Sequence, residues 1–284
     1  MVIKQNKLPK NVIPLICDSL PIELSFCLFY FENNSLNYVG NNENIVFPAA
    51  SVIKIPLAIY ILKLYEQNKI DINQEVEIKS SDKVGGAGVI KDLSITKLKI
   101  IDLITLAIII SDNTASNILI DIIEEIEGKA FEKLNSFFSS LSLKESRINR
   151  KFMVDLISPP VNFTTTFEIN YILYKLTNFE LLNEENTIKL IKIMLKQQYT
   201  EKIPMYLDNY YVANKTGDIS GISLDSAIIF KSNDIKKELI NKNYFILSVF
   251  IKFGNFTGNP KTSRNIVNTI ISEISFNLLK LFET

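Results

Sequence analysis

Ser51 stands three residues before Lys54 in the stretch Ser51-Val52-Ile53-Lys54. On a helix, positions i and i+3 share a face, so the lysine amine comes within reach of the serine hydroxyl. A serine activated by a lysine attacks an amide or ester carbonyl without help from histidine. The chain has no His at all. That zero excludes a Ser-His-Asp triad, a Cys-His pair, an HExxH zinc site and a histidine proton shuttle. Acid–base work falls to carboxylates, Lys, Tyr or bound water. The same spacing recurs at Ser80…Lys83 and Ser94…Lys97, in polar, turn-like sequence. Ser51 instead follows Phe47-Pro48-Ala49-Ala50 and opens an apolar run. Its backbone N–H then falls among the unpaired donors of a helix N-terminus, where an oxyanion can bind. Taken alone, the pair also fits an N-cap serine beside a solvated lysine.

Two further clusters carry polar groups into promising places. Ser111-Asp112-Asn113 follows the apolar run Leu103–Ile110 and precedes another helical stretch, so it sits at a helix–helix junction. A capped turn reads the same way. Lys215-Thr216-Gly217 ends the strand-like Tyr210–Asn214. A lysine and a hydroxyl on a strand edge grip an anion, and the glycine lets the backbone lie close to it. A strand end with a solvated lysine is the plain alternative. Val84–Val89 is rich in glycine, but no Gly-Lys-Ser/Thr follows, which excludes a phosphate loop.

The three clusters occur in the order S-x-x-K, S-D-N, K-T-G, with separations of 111 − 51 = 60 and 215 − 111 = 104 residues. This is the motif set of the penicillin-recognising serine enzymes. With the flanking GGAGVIKDL (85–93), SDNTASNILID (111–121) and KTGDISG (215–221), the chain resembles the class A β-lactamase family over about residues 20 to 282. The resemblance implies that Ser51 is the nucleophile that opens a lactam ring to an acyl-enzyme. Lys54, crowded by Lys215 and partly buried, is expected to have a lowered pKa and to serve as general base. Ser111 would relay a proton to the departing nitrogen, helped by Lys215. Asn113 would bind the substrate's side-chain amide, and Thr216 and Lys215 its carboxylate. The N–H groups of Ser51 and Asp218 would form the oxyanion hole, while the Asp218 side chain places an unusual carboxylate at the mouth, disfavouring anionic substrates. Arg264 either assists with the carboxylate or is a surface arginine. Neither cofactor nor metal is implied. The partner would be a small β-lactam or a peptidoglycan-like peptide, and the protein a monomer.

One part of the family pattern is missing. Class A enzymes deacylate with a Glu in an E-x-x-x-N pattern shortly after an Arg. Here Arg147-Ile148-Asn149-Arg150 resembles the start of that Ω-shaped loop and Asn162-Phe163-Thr164-Thr165 its end, yet the Glu position falls on Phe152. Glu145…Asn149 has the right internal spacing but precedes the arginines, and Asp155 is the carboxylate well inside the loop. Slow deacylation is the expectation. Two other readings stay open: a D-Ala-D-Ala peptidase-like or other amide or ester hydrolase on the same fold, and a catalytically silent binding protein.

The elements that must hold these residues follow from periodicity. Glu23–Phe31 and Leu36–Val39 read as a hairpin closed at Asn33-Asn34. Ser51–Tyr65 is too densely apolar for an exposed face and reads as a buried helix, with Pro56 tightening an early turn. Further helices fit Thr96–Ile110, Thr114–Ile126, Lys129–Leu141, Thr165–Leu176 and Glu184–Gln197, with Thr165 and Glu168 spaced as a capping box. Strands fit Tyr210–Asn214, Ser226–Lys231 and Phe245–Lys252, and a long helix fits Asn259–Phe282. The layout predicts an α/β (α+β) fold: an antiparallel sheet built from both chain ends with flanking helices (1–48 and 206–284), and an inserted all-helical domain (49–205).

With 31 basic and 31 acidic residues, the chain has no electrostatic footprint for nucleic acid or an anionic membrane. No stretch approaches the ~20 apolar residues of a membrane span, and Met1–Leu20 lacks the apolar core of a signal peptide. The chain therefore reads as soluble and cytoplasmic, whereas the family resemblance implies a place outside the cytoplasm. Cys17 and Cys27 are expected to be two buried thiols, with a pairing left open.

Overall fold

Aromatic-rich, β-branched runs from both ends of the chain meet in one sheet. The computed structural model describes residues 3–8, 12–154 and 161–282. Its main sheet has six strands: β1 (Lys4–Gln5), β2 (Ile22–Glu32), β3 (Ser35–Asn41), β8 (Tyr211–Ile219), β9 (Ile222–Phe230) and β10 (Tyr244–Phe253). They lie in the order β1-β3-β2-β10-β9-β8. All neighbours are antiparallel except the short β1, which runs parallel to β3. Asn33 and Asn34 close the first hairpin, both with positive φ, as a two-residue turn requires. Two small ribbons complete the strands: β4 (Phe47–Pro48) with β7 (Phe163–Thr164), and β5 (Glu75–Glu77) with β6 (Lys97–Lys99).

The helices are α1 (Lys54–Glu66), α2 (Ile100–Ile109), α3 (Asn113–Glu127), α4 (Ala130–Ser140), α5 (Thr166–Thr177), α6 (Glu184–Met194), α7 (Ile235–Ile240) and α8 (Pro260–Lys280). Helix α8 covers one face of the sheet, burying Val267, Ile271, Ile274 and Leu278 with Phe26, Leu28, Leu247 and Val249. On the other face, Phe29, Ile228, Ile246 and Phe250 join one continuous apolar core with α5 and the remaining helices.

Four expected boundaries shift. The helix expected from Thr96 begins at Ile100, because Lys97–Lys99 alternates and pairs with Glu75–Glu77 instead. Helix α1 begins at Lys54 rather than Ser51: Ser51–Ile53 form a tight turn, with Lys54 N–H donating to Ser51 O at 3.1 Å and Ile55 N–H to Val52 O at 3.1 Å. Pro56 is harmless in this first turn, where its missing N–H costs nothing. Strand β8 does not end before Lys215 but runs through Lys215-Thr216-Gly217 to Ile219, and β9 begins earlier, at Ile222. Gly217 was the apparent stop signal. It serves close approach instead, since a Cβ there would come within 3.1 Å of Ser51 N.

The predicted capping box is half formed. Thr165 Oγ1 accepts the Glu168 N–H at 3.0 Å, but the Glu168 carboxylate turns away to the chain at 144–146. It accepts from Lys144 N (2.7 Å), Glu145 N (3.0 Å), Ser146 N (2.6 Å) and Ser146 Oγ (2.7 Å). Glu168→Ala would orphan three backbone donors, that of Ser146 fully buried, and the buried Ser146 hydroxyl as well, so unfolding free energy is expected to fall by ~3 kcal/mol. A thermal melt that moves by less than about 3 °C would contradict this anchoring role. Cys17 and Cys27 are both free. Cys27 is fully buried, as expected, while Cys17 is only half-buried.

Candidate active site

Lys54 is the centre of the site. Its side chain is 0% exposed, at the first position of α1. The amine donates to Ser111 O at 2.7 Å, Asn113 Oδ1 at 2.8 Å and Ser111 Oγ at 3.3 Å. The structure thus brings S-x-x-K and S-D-N together across 57 residues of sequence. Burial, first, and then the neighbouring Lys215 push the Lys54 amine well below its ordinary pKa; Asp112 opposes this. The Phe152 ring lies over the amine, 4.5 Å from centroid to Nζ. A ring face favours the ammonium form by up to about 2 kcal/mol. Desolvating a buried cation costs several kcal/mol, so burial wins and the ammonium form is disfavoured.

Two strained residues frame this centre. Ala50, just before Ser51, has φ +42°, and Ser111 has φ +58°. Both are non-glycine residues in the left-handed region, at a cost of ~1–3 kcal/mol each. At Ser111 the strain ends α2 abruptly and turns the Ser111 carbonyl onto Lys54. Asp112 then caps α3, its carboxylate accepting from Ala115 N at 2.9 Å, Val89 N at 2.7 Å and Ile90 N at 2.9 Å. The glycine-rich loop packs on this junction: a Cβ on Gly88 would meet the Asp112 carboxylate at 2.3 Å and one on Gly86 the Asn113 amide at 2.6 Å. Both ends of the Asn113 amide are engaged, Oδ1 by Lys54 and Nδ2 by Gly85 O at 3.1 Å.

Strand β8 forms the opposite wall. Lys215 is 0% exposed and donates to Thr216 O at 2.7 Å. Burial lowers its pKa to about 7, against the pull of Asp225. Beside it, sequence reasoning missed a buried ionic cluster. Asp225 on β9 is in register with Thr216 and is held by Asn214 Nδ2 at 3.0 Å and Ile203 N at 3.1 Å. Burial raises its pKa to about 7. Lys202, also fully buried, bonds Asp218 at 2.7 Å. Arg264 also pairs with Asp218 and donates to Ile219 O at 2.6 Å. The Asp218 side chain is thus a paired carboxylate, and Arg264 is committed to it rather than lying free on the surface. Nothing in the spacing of Lys202 and Asp225 marks them; the strand hairpin and the turn before β8 bring them together.

The Ω-loop region is described up to Val154 and from Val161. Asp155 lies outside the described residues. Glu145 is exposed, with its N–H held by Glu168. Phe152, the position where the family pattern calls for Glu, is clamped by a two-bond amide bracket: Phe152 N–H donates to Asn117 Oδ1 at 2.8 Å and Asn117 Nδ2 donates to Phe152 O at 2.9 Å. Asn135 brackets Ile148 in the same way. The other two S-x-x-K copies are not assembled into any such centre; Ser80 and Ser94 are exposed.

Comparison with known proteins agrees with this architecture. The model of the β-lactamase enzyme family matches residues 13–282. β-Lactamase BRO-1 of Moraxella catarrhalis is 28% identical over 254 residues, covering 87% of this chain and 75% of that protein. Among solved structures, a β-lactamase from Sphaerobacter thermophilus has a TM-score of 0.79 at 21% identity, covering 94% of each chain. A leucine-to-glutamate variant of PBP-A, in acyl-enzyme complex with penicillin-G, has a TM-score of 0.78 at 21% identity, covering 95% of this chain and 93% of that one. The chain belongs to the β-lactamase enzyme family. It is a serine β-lactamase-like hydrolase with the mixed fold expected from its sequence. Among the described residues, no helix is long and apolar enough to cross a membrane.

Proposed function

We propose that the protein opens β-lactam rings through an ester on Ser51 and releases that ester slowly. The observation that carries the reading is the buried Lys54 amine, depressed in pKa and joined to both Ser111 and Asn113. In the proposed step, Ser51 Oγ forms a bond to the lactam carbonyl carbon while its proton passes to Lys54. Charge on the carbonyl oxygen is met by the N–H groups of Ser51 and Asp218. The C–N bond then breaks, and the nitrogen takes a proton relayed from Lys54 through Ser111. Lys215 and Thr216 hold the substrate's carboxylate, and Asn113 faces its side-chain amide.

Hydrolysis of the ester needs a base to activate water. Phe152 supplies a phenyl ring where the family pattern has a carboxylate, which supports slow release. The same ring favours a second reading, acylation by a D-Ala-D-Ala peptide, since a peptidase has no need to clear penicillin quickly. Intact-mass spectrometry after mixing with penicillin-G tests the proposal. A Ser51 adduct that persists for minutes is expected, absent in Ser51→Ala and retained in Ser80→Ala and Ser94→Ala. Rapid turnover with no trapped adduct would overturn slow release, and labelling of Ser51→Ala would overturn the nucleophile. Faster acylation by a D-Ala-D-Ala peptide than by penicillin would select the second reading.

A further inference from the structure

We infer that the Asp218 carboxylate is a built-in occupant of an anion seat formed by Lys202 and Arg264, and that it tunes this cleft against substrates carrying a carboxylate beside Thr216. The inference rests on the acyl-enzyme reading above and concerns which acyl donors that same site takes. It gives a structural basis to the expectation that the Asp218 carboxylate at the mouth disfavours anionic substrates.

Residues two apart on a strand share a face, so Thr216 and Asp218 stand side by side, about 7 Å apart along β8. Asp225 and Ser223 are their register partners on β9. Both cations that reach this face are fixed in place. Lys202 is fully buried and is held by Leu224 O at 3.1 Å as well as by Asp218 at 2.7 Å. Arg264 is pinned by Ile222 O at 3.2 Å and Ile219 O at 2.6 Å, with its guanidinium 5.5 Å from the centroid of Phe253. A buried ammonium and a pinned guanidinium converging on one point make a preorganised carboxylate receptor. Its two carboxylate oxygens are already supplied: Asp218 Oδ2 to Lys202 and Oδ1 to Arg264.

Lys202 and Arg264 both bond the Asp218 carboxylate, so neither is left to attract a ligand anion. A substrate carboxylate arriving at Thr216 meets Asp218 next to it and, among the described residues, finds Lys215 as the neighbouring cation that bonds no carboxylate. An ester or amide at that end of the substrate escapes the penalty. The cleft is thereby tuned toward acyl donors that are neutral beside Thr216.

The test compares one chromogenic cephalosporin as its free acid and as its methyl ester, with kcat/KM for Ser51 acylation measured for each. In Asp218→Asn the seat loses its negative charge at constant side-chain shape, and the acid-to-ester ratio is expected to rise about tenfold, the scale of one charge-assisted hydrogen bond. Asp218→Ser, carrying no charge, is expected to move the ratio the same way and serves if the Asn variant misfolds. Adding Arg264→Gln to Asp218→Asn should erase the gain. A ratio that stays within about twofold of the parent protein, or a gain that survives loss of Arg264, overturns the inference. Failure of both compounds to label Ser51 in the parent protein overturns the acyl-enzyme reading itself, and this inference with it.

Discussion

Lys54→Met is expected to slow acylation of Ser51 by ~10³-fold, within the range that general-base removal produces. The parent amine is fully buried and depressed in pKa, and it is the amine nearest in sequence to the nucleophile. Methionine keeps the length and apolar stem but accepts no proton. The fold should survive the exchange. Ser111 O and Asn113 Oδ1 lose their donor, but the desolvation penalty of a buried amine disappears with it. A melting temperature within a few degrees of the parent, with acylation nearly abolished in a burst assay, is the expected pair of results. Acylation within about fivefold of the parent would place the base elsewhere. The pH profile carries a second check. Burial holds the Lys54 amine well below its ordinary pKa, and it gains charge as pH falls through its folded pKa, so acylation should decline on the acid side. Lys215, with a pKa lowered to about 7, loses its charge as pH rises through that value. For a carboxylate-bearing substrate, kcat/KM should therefore fall on the alkaline side as well.

Phe152→Glu is expected to shorten the lifetime of the Ser51 ester by ~10²-fold or more, the usual contribution of a positioned base. The backbone at this position is held by the Asn117 bracket, so the new side chain leaves from the same place. The phenyl ring lies over Lys54, which follows Ser51 by three residues across a tight turn. A carboxylate there is in reach of a water attacking the ester. Phe152→Leu, which changes the side chain without supplying a base, should leave the adduct long-lived. The substitution also has a predictable cost. A carboxylate beside Lys54 favours the ammonium form, so the acid limb of acylation should move to higher pH. A long-lived adduct in Phe152→Glu would show that water access, rather than the missing base, limits release.

Much of this was legible in the chain because the chemistry depends on short spacings. Ser51 and Lys54 sit one turn apart, and Ser111, Asp112 and Asn113 lie at one helix junction whatever the rest of the chain does. Periodicity also located the five long strands and most helices, though their ends moved where a residue had two uses. Gly217 looks like a strand end and is a close-approach point. Glu168 has capping-box spacing, yet its carboxylate holds a loop more than 20 residues upstream. A side chain with two geometrically possible partners does not reveal its choice in sequence.

By itself, the sequence determined the kind of chemistry. With no histidine, and with lysines, serines and an Asn in three ordered clusters, proton transfer in this protein falls to lysine and hydroxyl groups. The tertiary structure alone decided the electrostatics of those groups. Lys54 is depressed because folding buries it near Lys215, and Asp218 is neutralised because Lys202 and Arg264 converge on it from the turn before β8 and from α8. Phe152 covers Lys54 because α3 brackets the loop that carries it. Coulomb energies and desolvation depend on distance and burial in space, and neither quantity is written in the spacing of residues along a chain.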